Sequence, residues 1–225
     1  MNAGQNHGPM SAPIAIGVLT LAGLALSTAN AQVQYTAQDR WIEIMAYLPG
    51  ETPDDTRSAA GFGQFDETLS GTLSNSDGSA WAYASQNSQL TASGMTAIGA
   101  ADGGSGPPVG TSAGVGRSYF YAAFSIAEAV DYTLDLDIMG EFASWSFQGT
   151  SLDIDRTLDY ASVGSGVHLA GTLDAGDYAF SIYLESGAAA EGLGSNFDFT
   201  FTAVPAPAGL SILATGVLAV GRRRR

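Results

Sequence analysis

Three segments in the second half of the chain alternate strictly between apolar and other residues, and this period of two constrains the fold most. They are DYTLDLDI (131–138), DYAFSIYL (177–184) and NFDFTFT (196–202). In each segment, every second side chain is aromatic or aliphatic, and most of those between are Asp, Ser or Thr. This pattern predicts β-strands that place one face on a core and the other in solvent.

Weaker alternation predicts more strands along the chain: 41–48, 65–73, 81–85, 90–98, 117–126 and 167–173. Gly-rich turns separate these segments at close spacing, which is typical of an antiparallel sandwich. The sequence therefore predicts an all-β fold, an antiparallel β-sandwich with Greek-key or jelly-roll-like connections. The segment 99–116, GAADGGSGPPVGTSAGVG, predicts a long loop because it is rich in Gly and contains two adjacent prolines.

The hexapeptide LDAGDY (173–178) resembles the tyrosine corner of Greek-key sandwiches. In that motif a Tyr hydroxyl bonds back to the backbone a few residues upstream. The resemblance predicts such a hydrogen bond from Tyr178, with a structural role.

Charge and cysteine content exclude several functions for the central part of the chain. Residues 32–203 hold all twenty-two acidic residues against four arginines, a net charge of −18, and the chain has no Lys. Such a field repels nucleic acid, so DNA or RNA binding is not expected. The absence of Cys removes disulfides, thiolate metal sites and cysteine nucleophiles.

The N-terminal region predicts export through the general secretion machinery. The apolar stretch PIAIGVLTLAGLAL (13–26) has the length of a signal-peptide core, and Ala29-Asn30-Ala31 is a small-x-small cleavage site. Residues 1–31 are therefore predicted to be a signal peptide. The first twelve residues contain no Lys or Arg, and translation from either Met1 or Met10 stays open.

The C-terminal region predicts a membrane segment. Residues 209–221 are uncharged and largely apolar, and four arginines follow them. Arginines at the end of an apolar helix snorkel to the headgroups and favour the cytoplasmic side, which makes this a stop-transfer pattern. The alternative is a core helix followed by a basic tail.

The same residues carry a resemblance to a known family of sorting tails. A Pro motif, an apolar segment and a terminal arginine cluster resemble the PEP-CTERM tail of bacterial envelope and matrix proteins; the motif residues are Val204, Pro205, Ala206, Pro207, Arg222, Arg223, Arg224 and Arg225. Ala206 stands where the commonest form of the motif has Glu. The resemblance implies processing by an exosortase-like enzyme, transient membrane anchoring, and a final place in the cell envelope or outside the cell. The resemblance covers only the tail; together with the predicted signal peptide, it divides the chain into the signal peptide 1–31, an extracytoplasmic domain 32–203 and a sorting tail 204–225.

Acidic clusters on the predicted strands suggest a cation site. Asp131, Asp135 and Asp137 share one strand face, and Asp153 and Asp155 lie on the following strand. Calcium takes six to eight oxygen ligands and would relieve the repulsion between neighbouring carboxylates. The alternative is a solvated acidic face, and no EF-hand loop is present.

Two further hypotheses concern chemistry and ligand binding. Gly110-Thr111-Ser112-Ala113-Gly114 matches the G-x-S-x-G string of serine hydrolases, and His168 is the single histidine of the central domain. The predicted context is a loop and not a strand–helix turn, so we assign no catalytic residue. Aromatic residues that alternate with small ones suggest a sugar-binding sheet face, the alternative being core aromatics: Trp81, Tyr83, Tyr119, Tyr121 and Trp145.

From the sequence we therefore expect a non-enzymatic, exported cell-surface or extracellular-matrix protein of a bacterium, sorted through its C-terminal tail. The first alternative is a carbohydrate-binding module for extracellular polysaccharide, with calcium as its one candidate cofactor. The second alternative is a serine hydrolase built on Ser112 and His168.

Overall fold

The computed structural model of the protein describes residues 33–106, 112–187 and 194–205, except for the side chains of 141, 155–165 and 205. These residues form ten strands: β1 Val33–Tyr47, β2 Asp54–Ser58, β3 Phe65–Asn75, β4 Gly78–Thr91, β5 Gly94–Gly106, β6 Ala113–Ile126, β7 Val130–Gly149, β8 Leu152–Leu173, β9 Gly176–Ser186 and β10 Ser195–Pro205. Every pair of neighbouring strands is antiparallel. The all-β prediction is confirmed, and a search of the described residues for a helix of membrane-spanning length and apolarity finds none.

The strands form two packed sheets that are joined through the long strands β7 and β8. The first part of β7 pairs with β10, its last part pairs with β9, and β8 follows β7 along both parts. The front sheet therefore holds β2, β1, β6, β9 and the last part of β7. The back sheet holds β3, β4, β5, β10 and the first part of β7. This arrangement confirms the predicted antiparallel sandwich.

The change of sheet within β7 falls at Gly140, which has a φ of 151°. The register with β8 shifts on both sides of this glycine. A Cβ at this position would lie 2.5 Å or less from three atoms of Ser195. Glycine is needed here for both its backbone conformation and its lack of a side chain.

The core between the sheets is built from the apolar residues of the alternating segments. Leu134, Phe180 and Phe199 are fully buried, and the rings of Phe180 and Phe199 stack with centroids 4.0 Å apart. The Tyr178 hydroxyl donates to the Asp174 carbonyl at 2.9 Å, which confirms the predicted tyrosine-corner hydrogen bond. The period-two pattern thus assigned the buried face of these strands correctly.

The predicted loop at 99–116 is wrong, because β5 continues to Gly106 and β6 begins at Ala113. The glycines are there because the two sheets touch through their backbones. A Cβ on Gly114 would lie 1.7 Å from the Trp81 carbonyl oxygen, and one on Gly116 would lie 1.9 Å from that of Tyr83. Side-chain volume is excluded at this end of the sandwich, so the strands lack the alternation by which the others were recognised.

Two other predicted boundaries need correction. The single strand predicted at 90–98 is a hairpin, since β4 ends at Thr91 and β5 begins at Gly94 with a φ of 155°. The last strand, β10, extends through Val204 and Pro205, which pair with Asp131 and Val130 of β7. The start of the Pro motif is therefore part of the sandwich. The predicted signal peptide and the remainder of the predicted sorting tail lie outside the described residues.

Candidate binding face

Three aromatic side chains form a row across the outer surface of the front sheet. Trp41 of β1 pairs in register with Tyr119 of β6, which pairs with Tyr183 of β9. The ring centroids of Trp41 and Tyr119 are 5.4 Å apart, and those of Tyr119 and Tyr183 are 6.5 Å apart. All three side chains are half-buried. We call these three residues the aromatic row.

The row faces outward because its strands use their alternate positions for the core. Ile42, Phe120 and Ile182 are the neighbours of the three aromatic residues along the chain, and each of them is fully buried. Phe142 extends the row on the adjoining strand β7, where its ring lies 5.9 Å from that of Tyr183 and is 38% exposed. The result is a continuous strip of partly exposed aromatic rings, tilted or edge-on to one another, at the middle of a sheet.

A second row of side chains, two residues away along each of the same strands, carries charge. Arg117 of β6 lies between Glu43 of β1 and Glu185 of β9, with N–O distances of 2.8 and 2.9 Å. Burial works against the charge of Arg117, but the hydrogen bonds to both carboxylates outweigh it and raise the pKa of the guanidinium above its ordinary value. One cation is thus shared by two anions, and this part of the face stays net negative.

Glu185 also joins the two rows. The Tyr183 hydroxyl donates to Glu185 Oε2 at 2.5 Å. Burial raises the pKa of Glu185, but hydrogen bonds from Tyr183 and Arg117 outweigh it and lower that pKa overall. Two causes raise the pKa of Tyr183: burial of the phenol is the larger, and its hydrogen bond to the Glu185 carboxylate is the next. At neutral pH the face therefore presents neutral phenols beside an ionised carboxylate.

On the other side of the aromatic row lie Asp39 and Tyr121, which pair in register between β1 and β6. Asp39 is exposed. Burial and the negative charge of Asp39 both raise the pKa of Tyr119. The aromatic row is consequently edged by carboxylates on both sides, and the arrangement suits a ligand that offers flat apolar faces with polar groups around them.

The aromatic residues singled out in the sequence lie in three different places. Tyr119 and Tyr121 are half-buried on the outer face of the front sheet, as the sheet-face hypothesis requires. Trp81 and Tyr83 are half-buried on the outer face of the back sheet. The Trp81 indole lies against Gly104, since a Cβ on that glycine would be 3.0 Å from Trp81 Nε1. Trp145 is 4% exposed and belongs to the core, so its candidacy as a ligand contact is wrong.

The acidic residues proposed for calcium lie on the outer face of β7 and on β8. Asp131 accepts from the Thr172 hydroxyl at 2.8 Å, and Asp135 pairs with His168 at 2.5 Å. Asp137 lies in register with Asp198 of β10. Asp153 pairs in register with Gln148, and Asp155 with Ser146, although the side chain of Asp155 is outside the described part.

A search of the described residues finds no group of three or more His, Asp or Glu side chains that could hold a metal ion. Two of the proposed ligands, Asp131 and Asp135, instead have protein partners. The structure thus divides these residues between the back-sheet part of β7, with Asp131, Asp135 and Asp137, and the front-sheet part of β8, with Asp153 and Asp155.

The residues of the hydrolase hypothesis have separate surroundings. Ser112 is buried, and its hydroxyl donates to the Gly106 carbonyl at 3.4 Å. His168 is exposed on the outer face of the back sheet, with Asp135 as its partner. Gly110 and Thr111 lie outside the described residues. The contacts of Ser112 and His168 thus do not link the two side chains.

Sequence reasoning missed Trp41 and Tyr183 as members of this face, together with the ion pairs of Arg117. A signal was present, because three segments place an aromatic and a charged residue two positions apart: Trp41 and Glu43, Arg117 and Tyr119, Tyr183 and Glu185. What the sequence lacks is the register that aligns them, because the order of the strands brings β1, β6 and β9 together from distant parts of the chain. No protein-family model matches the chain, and no curated protein matches it.

Proposed function

We propose that this chain is a non-enzymatic, exported bacterial protein of the cell surface or extracellular matrix whose sandwich binds extracellular polysaccharide through the front sheet. The observation that supports binding is the half-buried aromatic row of Trp41, Tyr119 and Tyr183, edged by carboxylates on both sides. Aromatic rings offer a large contact area for the apolar face of a sugar ring, and polar neighbours bond to its hydroxyls. An open row across three strands suits a polymer better than a small, enclosed ligand.

The proposal includes the route by which the protein reaches this polymer. The signal peptide 1–31 directs export, and the tail from Val204 to Arg225 holds the protein at the membrane through a helix until an exosortase-like enzyme processes it. Because β10 includes Val204 and Pro205, the first residues of the tail belong to the back sheet, the layer opposite the aromatic row.

The test is saturable binding of the chain spanning 32–205 to the extracellular polysaccharide of the source cell. Trp41→Ala and Tyr183→Ala are expected to weaken binding about five- to thirtyfold each, because each removes a ring contact worth about 1–2 kcal/mol. Tyr47→Ala is the matched control, since Tyr47 is on β1, is 49% exposed and lies outside the aromatic row. Binding unaffected by all three variants would refute a role for this face.

Calcium is a separate arm of the same experiment. Of the proposed ligands, Asp131, Asp135 and Asp137 are on the back-sheet part of β7, whereas Asp153 and Asp155 are on the part of β8 that pairs with β7 in the front sheet. If they hold calcium, EDTA will lower the unfolding temperature. If calcium also bridges protein and polymer, EDTA will abolish binding. An unchanged unfolding temperature and unchanged binding would remove calcium from the proposal.

A further inference from the structure

The charge around the aromatic row restricts the kind of polymer that fits it. Three carboxylates border the row, from Asp39, Glu43 and Glu185, and Arg117 is the cation among them. Arg117 bonds to two of these carboxylates at once, so it has little positive charge left to offer a ligand. The face therefore carries a net charge of about −2, within a domain that is itself strongly acidic.

Aromatic rings and carboxylates attract the same chemical group. The face of an aromatic ring is electronegative and attracts a cation within about 6 Å. A carboxylate next to such a ring adds a direct charge interaction with the same cation. Trp41 and Tyr119 have Asp39 on one side, and Tyr183 bonds to Glu185 on the other. An ammonium group at this face would meet both features, whereas a uronic acid would be repelled.

We infer that the polymer recognised by this face carries free amino groups, as in a polysaccharide of 2-amino sugars that are not fully acetylated. The inference rests on the proposed function, since it names the ligand class of the same face. Sugar rings lie on the aromatic row, and their protonated amines point to the carboxylates at its edges. A neutral polysaccharide would leave these carboxylates unused, and an anionic one would be excluded by them.

The experiment compares two immobilised polymers that differ only in this group: a poly-N-acetylglucosamine and the same material after deacetylation. The full-length protein, in mild detergent, is expected to bind the deacetylated polymer about tenfold more tightly at a pH where its amines are protonated. The preference should shrink as salt is raised, because part of the attraction is between exposed charges.

A matched pair of variants separates this face from the general acidity of the domain. Asp39→Asn and Asp198→Asn each remove one exposed carboxylate, but Asp198 is on the outer face of the back sheet. Asp39→Asn is expected to weaken binding of the deacetylated polymer about two- to fivefold. Asp198→Asn is expected to leave it unchanged.

Each outcome has a distinct meaning. Equal binding of both polymers, lost in Trp41→Ala, would overturn the amine preference and keep the proposed function. An equal loss in Asp39→Asn and Asp198→Asn would overturn the assignment to this face, because overall charge would then explain the attraction. Binding to neither of these polymers, nor to the polysaccharide of the source cell, would refute the proposed function itself.

Discussion

Gly114→Ala should destabilise the protein strongly, although it adds a single methyl group. A Cβ at this position would lie 1.7 Å from the Trp81 carbonyl oxygen and 2.9 Å from that of Gly104. An ordinary carbon–oxygen contact is about 3.3 Å or longer. The two sheets would therefore have to separate by roughly 1.5 Å, because backbone atoms cannot rotate away as a side chain can.

The magnitude follows from two opposing effects. Overpacking typically costs about 1–3 kcal/mol, and we expect the upper end because both contacting groups are backbone. Replacing Gly by Ala also stiffens the unfolded chain, which returns about 0.4–1 kcal/mol. The net loss is then about 2 kcal/mol or more. For a domain of this size that lowers Tm by about 4–8 °C.

The assay is thermal unfolding followed by circular dichroism, with urea unfolding as a second measure. Gly61→Ala is the matched control, since a Cβ on Gly61 would meet no atom within 4 Å and its φ is not in the left-handed region. The same chemical change should there leave Tm unchanged or raise it slightly. If Gly114→Ala unfolds within about a degree of Gly61→Ala, the sheets do not touch through their backbones and the explanation of this glycine-rich segment is refuted.

Three other perturbations test separate parts of the fold. Arg40 is 1% exposed and donates to neutral acceptors that include two loop carbonyls. Arg40→Met should therefore lower the free energy of unfolding, measured in urea, by about 3 kcal/mol. An unchanged free energy of unfolding would mean that the cost of burying the charge cancels its hydrogen bonds. Tyr178→Phe removes the bonds to Asp174 and Ser151 and should cost about 1–2 kcal/mol, which an unchanged urea midpoint would contradict. The pKa of Glu185 is lowered in the folded state, so its contribution to stability is present above its unfolded-state pKa and is lost as pH falls through its folded-state pKa. Tm should therefore drop in acid, and it should drop less in Glu185→Gln. An equal drop in the two proteins would contradict a stabilising role for the Glu185 carboxylate.

The parts of the fold that the sequence predicted well are those where side chains alternate. In β7, β9 and β10 the buried residues follow the period of two, because each strand has one face on the core. The tyrosine corner was also readable, since it depends on a local contact between Tyr178 and Asp174. Local chemistry and local periodicity were sufficient for these elements.

The features that the sequence analysis predicted wrongly or missed mostly depend on contacts between distant segments of the chain. Nothing local in 99–116 distinguishes a flexible glycine-rich loop from strands whose glycines let two sheets touch. The aromatic row required the register between β1, β6 and β9, which alternation within one strand does not contain. The hairpin at Thr91–Gly94 was missed because its two-residue turn, Ala92-Ser93, lacks the Asn-Gly or Asp-Gly that usually marks such turns.

The glycine contacts and the candidate binding face belong to the same strand, and this connects stability to binding. Gly116 packs on the Tyr83 and Asp102 carbonyls of the back sheet, and the next residue, Arg117, points to the opposite surface between its two carboxylates. A backbone held by direct backbone contact has little freedom to move, so Arg117 and Tyr119 start from fixed positions. A methyl group at Gly116 should therefore shift Arg117 outward, weaken its ion pairs and reduce polymer binding in protein that is still folded. A Gly116→Ala variant that loses stability but binds normally would show that the face does not depend on this packing.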